Sequence, residues 1–272
     1  MLEKGTQEKL KIGVLVSGGG TNLQAILDAT RNGSLPGEIV FVGSDNPDAY
    51  GLTRATKYGI STFNVDYDSL LKNFDKRLDA RMIPPDWNRE DVLKKQSLFS
   101  PETPREKVDA FFKSRAVAEA VLLDQMAPYP FEVLVLAGFM RILSPYFIDR
   151  INTDPEKPRI MNIHPSLLPA FPGTDGYGDT FRYGCKVAGC TVHFVDYGED
   201  SGPIIAQRAF PIEETDTEAD VRKKGLAVEW ALYPYCITLF AQNRLRVVRK
   251  KHTRSDGKKM EKAVVQVLPS RK

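Results

Sequence analysis

Lys11-Ile-Gly-Val-Leu-Val-Ser-Gly-Gly-Gly-Thr-Asn-Leu-Gln-Ala-Ile-Leu-Asp-Ala29 reads as a buried strand, a glycine loop and a helix in direct succession. Residues 11–16 are an apolar run bounded by the loop, and residues 23–29 have helical spacing. A strand that turns through glycines into a helix offers free backbone N–H groups and a helix N-terminus to an anion. The loop Ser17-Gly-Gly-Gly-Thr-Asn22 is not a Walker A loop, because no Gly-Lys-Ser/Thr follows. Nor is it a full dinucleotide fingerprint, since Leu23 stands where the third glycine belongs. Taken alone it is a weak signal, as such loops also simply turn the chain.

The same alternation continues outward. A strand is expected at 38–43, a turn at Ser44-Asp-Asn-Pro47, a helix at 49–57 and a short strand at 61–65. The clearest buried strand is Phe131-Glu-Val-Leu-Val-Leu-Ala137, and Ile160 to Ile163 forms another. Strands alternating with helices predict an α/β fold with a doubly wound, mostly parallel sheet. Arg105 to Met126 has helix logic, with Pro104 at its start and Val108, Phe111, Phe112, Ala116 and Ala120 along one side. A last long helix runs from 215 or 216 to Ala241. Leu245 to Thr253 and Lys259 to Leu268 flank the turn signal Ser255-Asp-Gly-Lys258, which predicts a C-terminal β-hairpin. Residues 66–104 break the pattern, being charged with scattered Leu and Phe and punctuated by Pro84-Pro85 and by Pro101 and Pro104. A passive surface excursion is the plainest expectation there, with a lid or an oligomer contact left open. The domain expectation is a catalytic unit over 11–250, interrupted at 66–104, and a basic tail over 251–272.

Composition limits the classes. A chain of 272 residues with 42% hydrophobic content can bury a full core. No apolar run is long enough to span a membrane, and Met1 to Lys11 is polar with no signal-peptide core. Cys185, Cys190 and Cys236 have neither metal-ligand nor paired spacing. They fit a reduced, cytoplasmic protein with no bound metal. A net charge of +3 selects no partner. The basic residues after Arg244 read as a solvated edge hairpin, whose lysines discourage strand addition, and not as a nucleic-acid arm.

Two further stretches carry chemistry. In Arg159-Ile-Met-Asn-Ile-His-Pro-Ser-Leu-Leu-Pro169 a strand should stop at His164, because Pro165 has no amide hydrogen for the ladder. Side chains alternate along a strand, so Asn162 and His164 share one face at its carboxyl end. Open α/β sheets keep their ligands at that end. A second strand, Cys190 to Val195, leads into an acidic loop ending in Asp200-Ser-Gly-Pro203. An Asp near His164 would raise the imidazole pKa and orient it, and Asn162 could donate to an oxygen that gains charge in acyl transfer. An Asn-x-His pair by itself is more often an ordinary polar strand end.

The full strings change that reading. Ser17–Asn22, Gly138-Phe-Met-Arg-Ile-Leu-Ser-Pro145, Asn162–Pro169 and Asp200–Pro203 occur in the order, and with the wording, that resembles the phosphoribosylglycinamide formyltransferase family, folate-dependent enzymes of purine synthesis. The resemblance implies a Rossmann-like formyltransferase fold and a small-molecule reaction. A formyl group passes from the co-substrate 10-formyltetrahydrofolate to the amine of phosphoribosylglycinamide. It implies Asn162, His164 and Asp200 as catalytic residues, and Gly20, Thr21 and Asn22 as the phosphate loop. Glu229 would take the ribose, while Arg105, Met140, Arg141, Ile142, Leu143 and Asn162 would hold the folate. His193, on the neighbouring strand, is expected to be a structural or ordering residue. No nucleic acid, membrane or metal is implied, and a homodimer is compatible with it. The chain departs from the family over 174–182, where Asp175, Tyr177 and Asp179 come with extra glycines.

Other readings stay open at this point. Another formyl-folate enzyme, whether the hydrolase or a transferase acting on a different amine, would share Asn-x-His and Asp. Methionyl-tRNA formyltransferase would need a further RNA-binding domain after Arg244. A non-catalytic nucleotide or folate binder would have no use for Asn162, His164 and Asp200 together. An NAD oxidoreductase is opposed by Leu23 and by the lack of an acidic residue at the end of the second strand.

Overall fold

The computed structural model describes residues 8–77, 80–253 and 255–270. Most of the polar N-terminal stretch, and parts of the 66–104 segment and of the tail, lie outside these. A seven-stranded sheet has the order β3-β2-β1-β4-β5-β6-β7. Its strands are β1 (Leu10–Val16), β2 (Gly37–Ser44), β3 (Thr62–Asn64), β4 (Val133–Leu136), β5 (Ile160–His164), β6 (Val187–Phe194) and β7 (Ile204–Pro211). The first five pair in parallel, and β6 and β7 are antiparallel additions. The chain runs from β1 outward to β3, then returns to place β4 on the other side of β1. That reversal opens a crevice between the carboxyl ends of β1 and β4.

Strand alternation builds two cores. Ile12, Val14, Val16, Val133, Val135, Met161 and Ile163 face one cluster, together with residues of α1 (Thr21–Arg31) and α8 (Glu218–Ala241). Leu15, Leu134, Leu136 and Ile160 face the other, with Ala118, Leu122 and Met126 of α5 (Arg105–Met126) and Phe147 and Ile148 of α6 (Pro145–Ile151). Helices therefore cover both faces, and β4 is apolar on both, as parallel interior strands are. The remaining helices are α2 (Tyr50–Lys57), α3 (Tyr67–Arg77), α4 (Arg89–Lys95) and α7 (Gly176–Arg182). α8 begins with a capping box between Thr217 and Asp220, slightly later than its periodicity predicts.

The excursion expected at 66–104 is not passive. Its α4 and the turns around it join the first half of α5 and Tyr146 in a third apolar cluster, with Val92, Val108, Phe112 and Ala116 at its centre. Phe99 meets Phe111 and Phe112 edge-on at 4.9 and 5.9 Å. Charged flanks mask this in the sequence, because the apolar residues are spaced for a partner helix and not for a sheet. The C-terminal hairpin consists of β8 (Leu245–Thr253) and β9 (Lys259–Val267). The boundary expected at 250 falls inside β8, and Leu245, Val247 and Val265 pack against the main core.

Candidate active site

The glycine loop is held by its surroundings. Gly20 has φ 67°, and a Cβ there would lie 2.8 Å from the Gly51 Cα, so α1 can start this close to α2 only with glycine at position 20. Gly51 N–H donates to the Gly18 carbonyl (2.9 Å) and Arg54 Nε to the Gly19 carbonyl (2.8 Å). The first bond within α1 is Gln24 N–H to the Gly20 carbonyl, 2.9 Å. The amides of Thr21, Asn22 and Leu23 precede it and have no partner in the helix, which makes this end an anion cradle.

A cleft of about 620 Å³ joins this loop to the ends of β4, β5 and β6. It is lined by Ser17–Asn22, Leu136–Leu143, Asn162, Tyr177, His193, the 196–200 loop, Arg222 and Glu229. On one side, Gly138–Leu143 presents mainly backbone. Met140 is 57% exposed, and its N–H donates to Ser17 Oγ (2.7 Å). Arg141 is clamped by Asp45 (Nε to Oδ2, 2.5 Å) and by Asp68 of α3 (Nη2 to Oδ1, 3.0 Å), and it stands over the Tyr67 ring at 5.5 Å. Leu143 is followed by the buried Glu119–Ser144 pair, in which the carboxylate accepts from Ser144 N–H (2.7 Å) and Oγ–H. Burial raises Glu119 to about 7, against the opposing Ser144 bonds. The 66–104 segment also reaches the opposite wall, where Ser97 N–H donates to the Tyr197 carbonyl at 3.1 Å. Arg105 is exposed at the start of α5 and lies outside the cleft lining, because the helix turns its first residue to solvent. The structure does not bring it to the residues with which a folate contact was expected.

His164 is 3% exposed and lies just beneath the cleft surface. Its Nδ1 is 3.1 Å from Asp200 Oδ2, and its Nε2 is 2.8 Å from the Phe171 carbonyl. A carboxylate and a carbonyl only accept, so both ring nitrogens donate only when the ring is an imidazolium. Burial pulls the pKa of His164 down, but the bond and charge of Asp200 and the Phe171 carbonyl outweigh it, and the net shift is upward. Burial likewise works against charge on Asp200, yet bonds from His164, His193 and the Gly173 amide (3.0 Å) hold it well below the usual carboxylate range. Asp200 takes φ 48°, a left-handed conformation that Asp tolerates better than most residues.

Asn162 is only loosely committed. Its Nδ2 lies 3.5 Å from Asp200 Oδ1 and 3.4 Å from His193 Nε2, both long for hydrogen bonds. His193, expected to be a structural or ordering residue, lines the cleft. Its Nδ1–H donates to the Phe194 carbonyl (2.9 Å), which turns Nε2 toward Asn162 and Asp200, 3.6 Å from Asp200 Oδ1. Asn162 pairs directly with His193 across β5 and β6, a register that is not legible in the sequence until the strands are paired.

On the far side, Glu229 is 5% exposed and not a solvated helix residue. Asn22 Nδ2 donates to Oε2 (2.6 Å) and the Tyr177 hydroxyl to Oε1 (2.7 Å). Burial raises its pKa against both bonds. The Tyr233 hydroxyl, one turn on, shares its single hydrogen between the carbonyls of Leu136 (3.0 Å) and Met161 (2.9 Å), fixing α8 to β4 and β5. Among the described residues no group of three or more His, Cys, Asp or Glu could hold a metal, and no helix is long and apolar enough to cross a membrane.

This geometry can be set beside known proteins. Residues 10–237 match the family model described as formyl transferase. A phosphoribosylglycinamide formyltransferase of Escherichia coli (strain K12) is 33% identical over 238 residues, covering 88% of this chain and 90% of its own. That of Bacillus subtilis (strain 168) is 31% identical over 84% of this chain and 92% of its own. The crystal structure of glycinamide ribonucleotide transformylase 1 from Symbiobacterium toebii is 36% identical, with TM-score 0.69, covering 99% of this chain and 98% of that one. With the model spanning most of the sequence and relatives above 30% identity along nearly their whole length, this chain belongs to the formyl transferase family.

Proposed function

We propose that the protein transfers the formyl group of 10-formyltetrahydrofolate to the amine of phosphoribosylglycinamide in purine synthesis. The observation that carries this is His164, whose two ring nitrogens lie 3.1 Å from Asp200 Oδ2 and 2.8 Å from the Phe171 carbonyl, two groups that only accept, on the same strand as Asn162, which lines the cleft with the glycine loop and the 138–143 loop. The amine attacks the formyl carbon directly, and the C=O π electrons move onto oxygen. Asn162 Nδ2, free of any short bond, and the imidazolium stabilise that oxyanion. Collapse re-forms C=O, breaks the bond to the folate nitrogen, and leaves the formylamide. His164 gives its proton to the departing nitrogen and is reprotonated by the one lost from the amine. Delivery of that proton requires the Phe171 carbonyl to release Nε2 when substrates bind. Holding amine and formyl carbon together supplies much of the acceleration.

The acceptor's phosphate takes the amides of Gly20, Thr21 and Asn22, and its ribose takes Glu229. The pterin ring is read by the backbone of Met140 to Leu143. The decisive assay follows the absorbance change as the folate loses its formyl group, with and without phosphoribosylglycinamide. Acceptor-dependent turnover that collapses in Asp200→Asn supports the proposal. Formyl loss without acceptor points to a hydrolase, and turnover only with another amine to a different acceptor.

A further inference from the structure

The loop that carries Asp200 is closed on itself and then tied from outside. Asp196 Oδ1 accepts from Gly198 N–H (3.2 Å) and from the Ser201 hydroxyl (2.6 Å), so the residues on either side of Asp200 form one turn. Asp200 takes φ 48°, and a residue other than glycine keeps a left-handed conformation only where its surroundings impose it. Part of that support comes from the 66–104 segment, which contributes no residue to the catalytic group.

α4 ends at Lys95, and Gln96 Oε1 then accepts from the amides of Leu98 (3.1 Å) and Phe99 (3.0 Å), which turns Phe99 onto α5. Ser97, inside that turn, donates its N–H to the Tyr197 carbonyl (3.1 Å). It presses on the loop so closely that a Cβ at Gly198 would lie 2.8 Å from Ser97 Oγ. The Tyr197 side chain is tied as well. Its hydroxyl donates to Asp149 Oδ1 of α6 (2.6 Å), while Lys95 Nζ donates to Asp149 Oδ2 and to Asp91 Oδ2, both at 2.7 Å. Asp149 thus has one oxygen committed to the loop and the other to α4. Burial, and after it the Asp149 bond, pushes the Tyr197 pKa up to about 12, so the phenol keeps the hydrogen it donates at neutral pH. α4 is itself seated in the cluster of Val92 and Phe112. Three residues before Asp200, backbone and side chain are therefore both fastened to elements outside the cleft.

We infer that Tyr197 is a positioning residue, and that the 66–104 segment, through Ser97 and the Lys95–Asp149 pair, is a brace that holds the 196–201 loop with Asp200 against His164. Its consequence for activity rests on the proposed formyl transfer; its consequence for the His164 ring does not. The test follows the His164 imidazole titration by NMR, together with kcat, the acceptor KM and Tm, in wild type, Tyr197→Phe and Lys95→Met. Phe keeps the ring and removes one bond without altering any charge. Lys95→Met detaches Asp149 from α4. Neither variant changes Asp200 or Glu229, the two charged groups that act on His164. In both variants His164 is expected to titrate about half a pH unit or more below its wild-type value, because Asp200 spends less time against it. A fall in kcat of about 5-fold is expected with it, since a displaced group costs rate steeply. The acceptor KM is expected to stay within about 2-fold, because Asn22 and Glu229 stand on α1 and α8, away from the brace. A lowered Tm with the His164 titration and kcat unchanged makes the segment a stabilising element only and overturns the inference. A fall in kcat with the titration unmoved also overturns it, since Asp200 then keeps its place. A shifted titration in a protein whose wild type shows no acceptor-dependent turnover upholds the brace and overturns the transferase reading alone.

Discussion

The two sides of the cleft are built from different material. The side proposed for the acceptor is made of buried side chains, Asn22, Tyr177 and Glu229, which hold one another before any ligand arrives. The side proposed for the donor is made of backbone over Gly138–Leu143, with Met140 57% and Ile142 36% exposed above it. A pocket of interlocked side chains reads the exact donor and acceptor pattern of its ligand, and one altered atom leaves a buried group unpaired. A pocket of backbone edges depends on the loop's course, which point substitutions change little. The family's two substrates should therefore respond very differently to mutation.

The largest effect lies on the seam between the sides. Asp200→Asn removes the charge that holds His164 protonated, and kcat is expected to fall on the order of 1,000-fold. The sign of its pH dependence follows from the upward shift of His164. Wild-type activity is lost as pH rises through that raised pKa, and in the variant the loss moves to lower pH, because only the Phe171 carbonyl and the Glu229 charge then oppose burial. The stability contributed by the His164–Asp200 pair through His164 has the same sense. It is complete below the ordinary histidine value and lost as pH rises through the folded one. A kcat–pH profile and a Tm–pH series measure the two.

Next comes Glu229→Gln, which is expected to raise the acceptor KM about 30-fold while leaving the donor KM within about 2-fold, since hydrogen bonds to a charged group are the stronger ones. Equal changes in both would dissolve the contrast between the sides. Acidification should sharpen it without any mutation. As pH falls through the raised pKa of Glu229, the carboxyl gains a proton and stops accepting fully. The acceptor KM is then expected to climb while the donor KM stays level. The smallest effect belongs to the donor wall. Met140→Ala should raise the donor KM only about 2- to 3-fold, measured by steady-state kinetics, because an exposed side chain loses little on truncation.

The 66–104 segment shares the donor wall's character at one end and differs at the other. Asp68 touches Arg141 from an exposed position, where an ion pair contributes little. Phe112, by contrast, is fully buried in the cluster that the segment shares with α5. Phe112→Ala should cost about 3–5 kcal/mol of stability, seen as a lowered denaturation midpoint.

Much of this was legible along the chain. Strand–loop–helix punctuation at 11–29, the double-sided apolar run at Val133–Leu136 and the stop at Pro165 give the parallel sheet, because each is a local consequence of backbone chemistry. Asn162 and His164 on one face follow from strand period alone. Asp200 was reachable only through its string, and its pairing with His164 required two strands and a loop to meet. What the tertiary structure alone decided is who faces whom. Sequence spacing does not tell that His193 comes level with Asn162, that Arg105 turns to solvent, that Phe99 finds α5, or that Tyr177 ends on Glu229, 52 positions away. Local pattern sets which face of an element is apolar; contacts between elements depend on register and helix packing, which the whole fold determines at once.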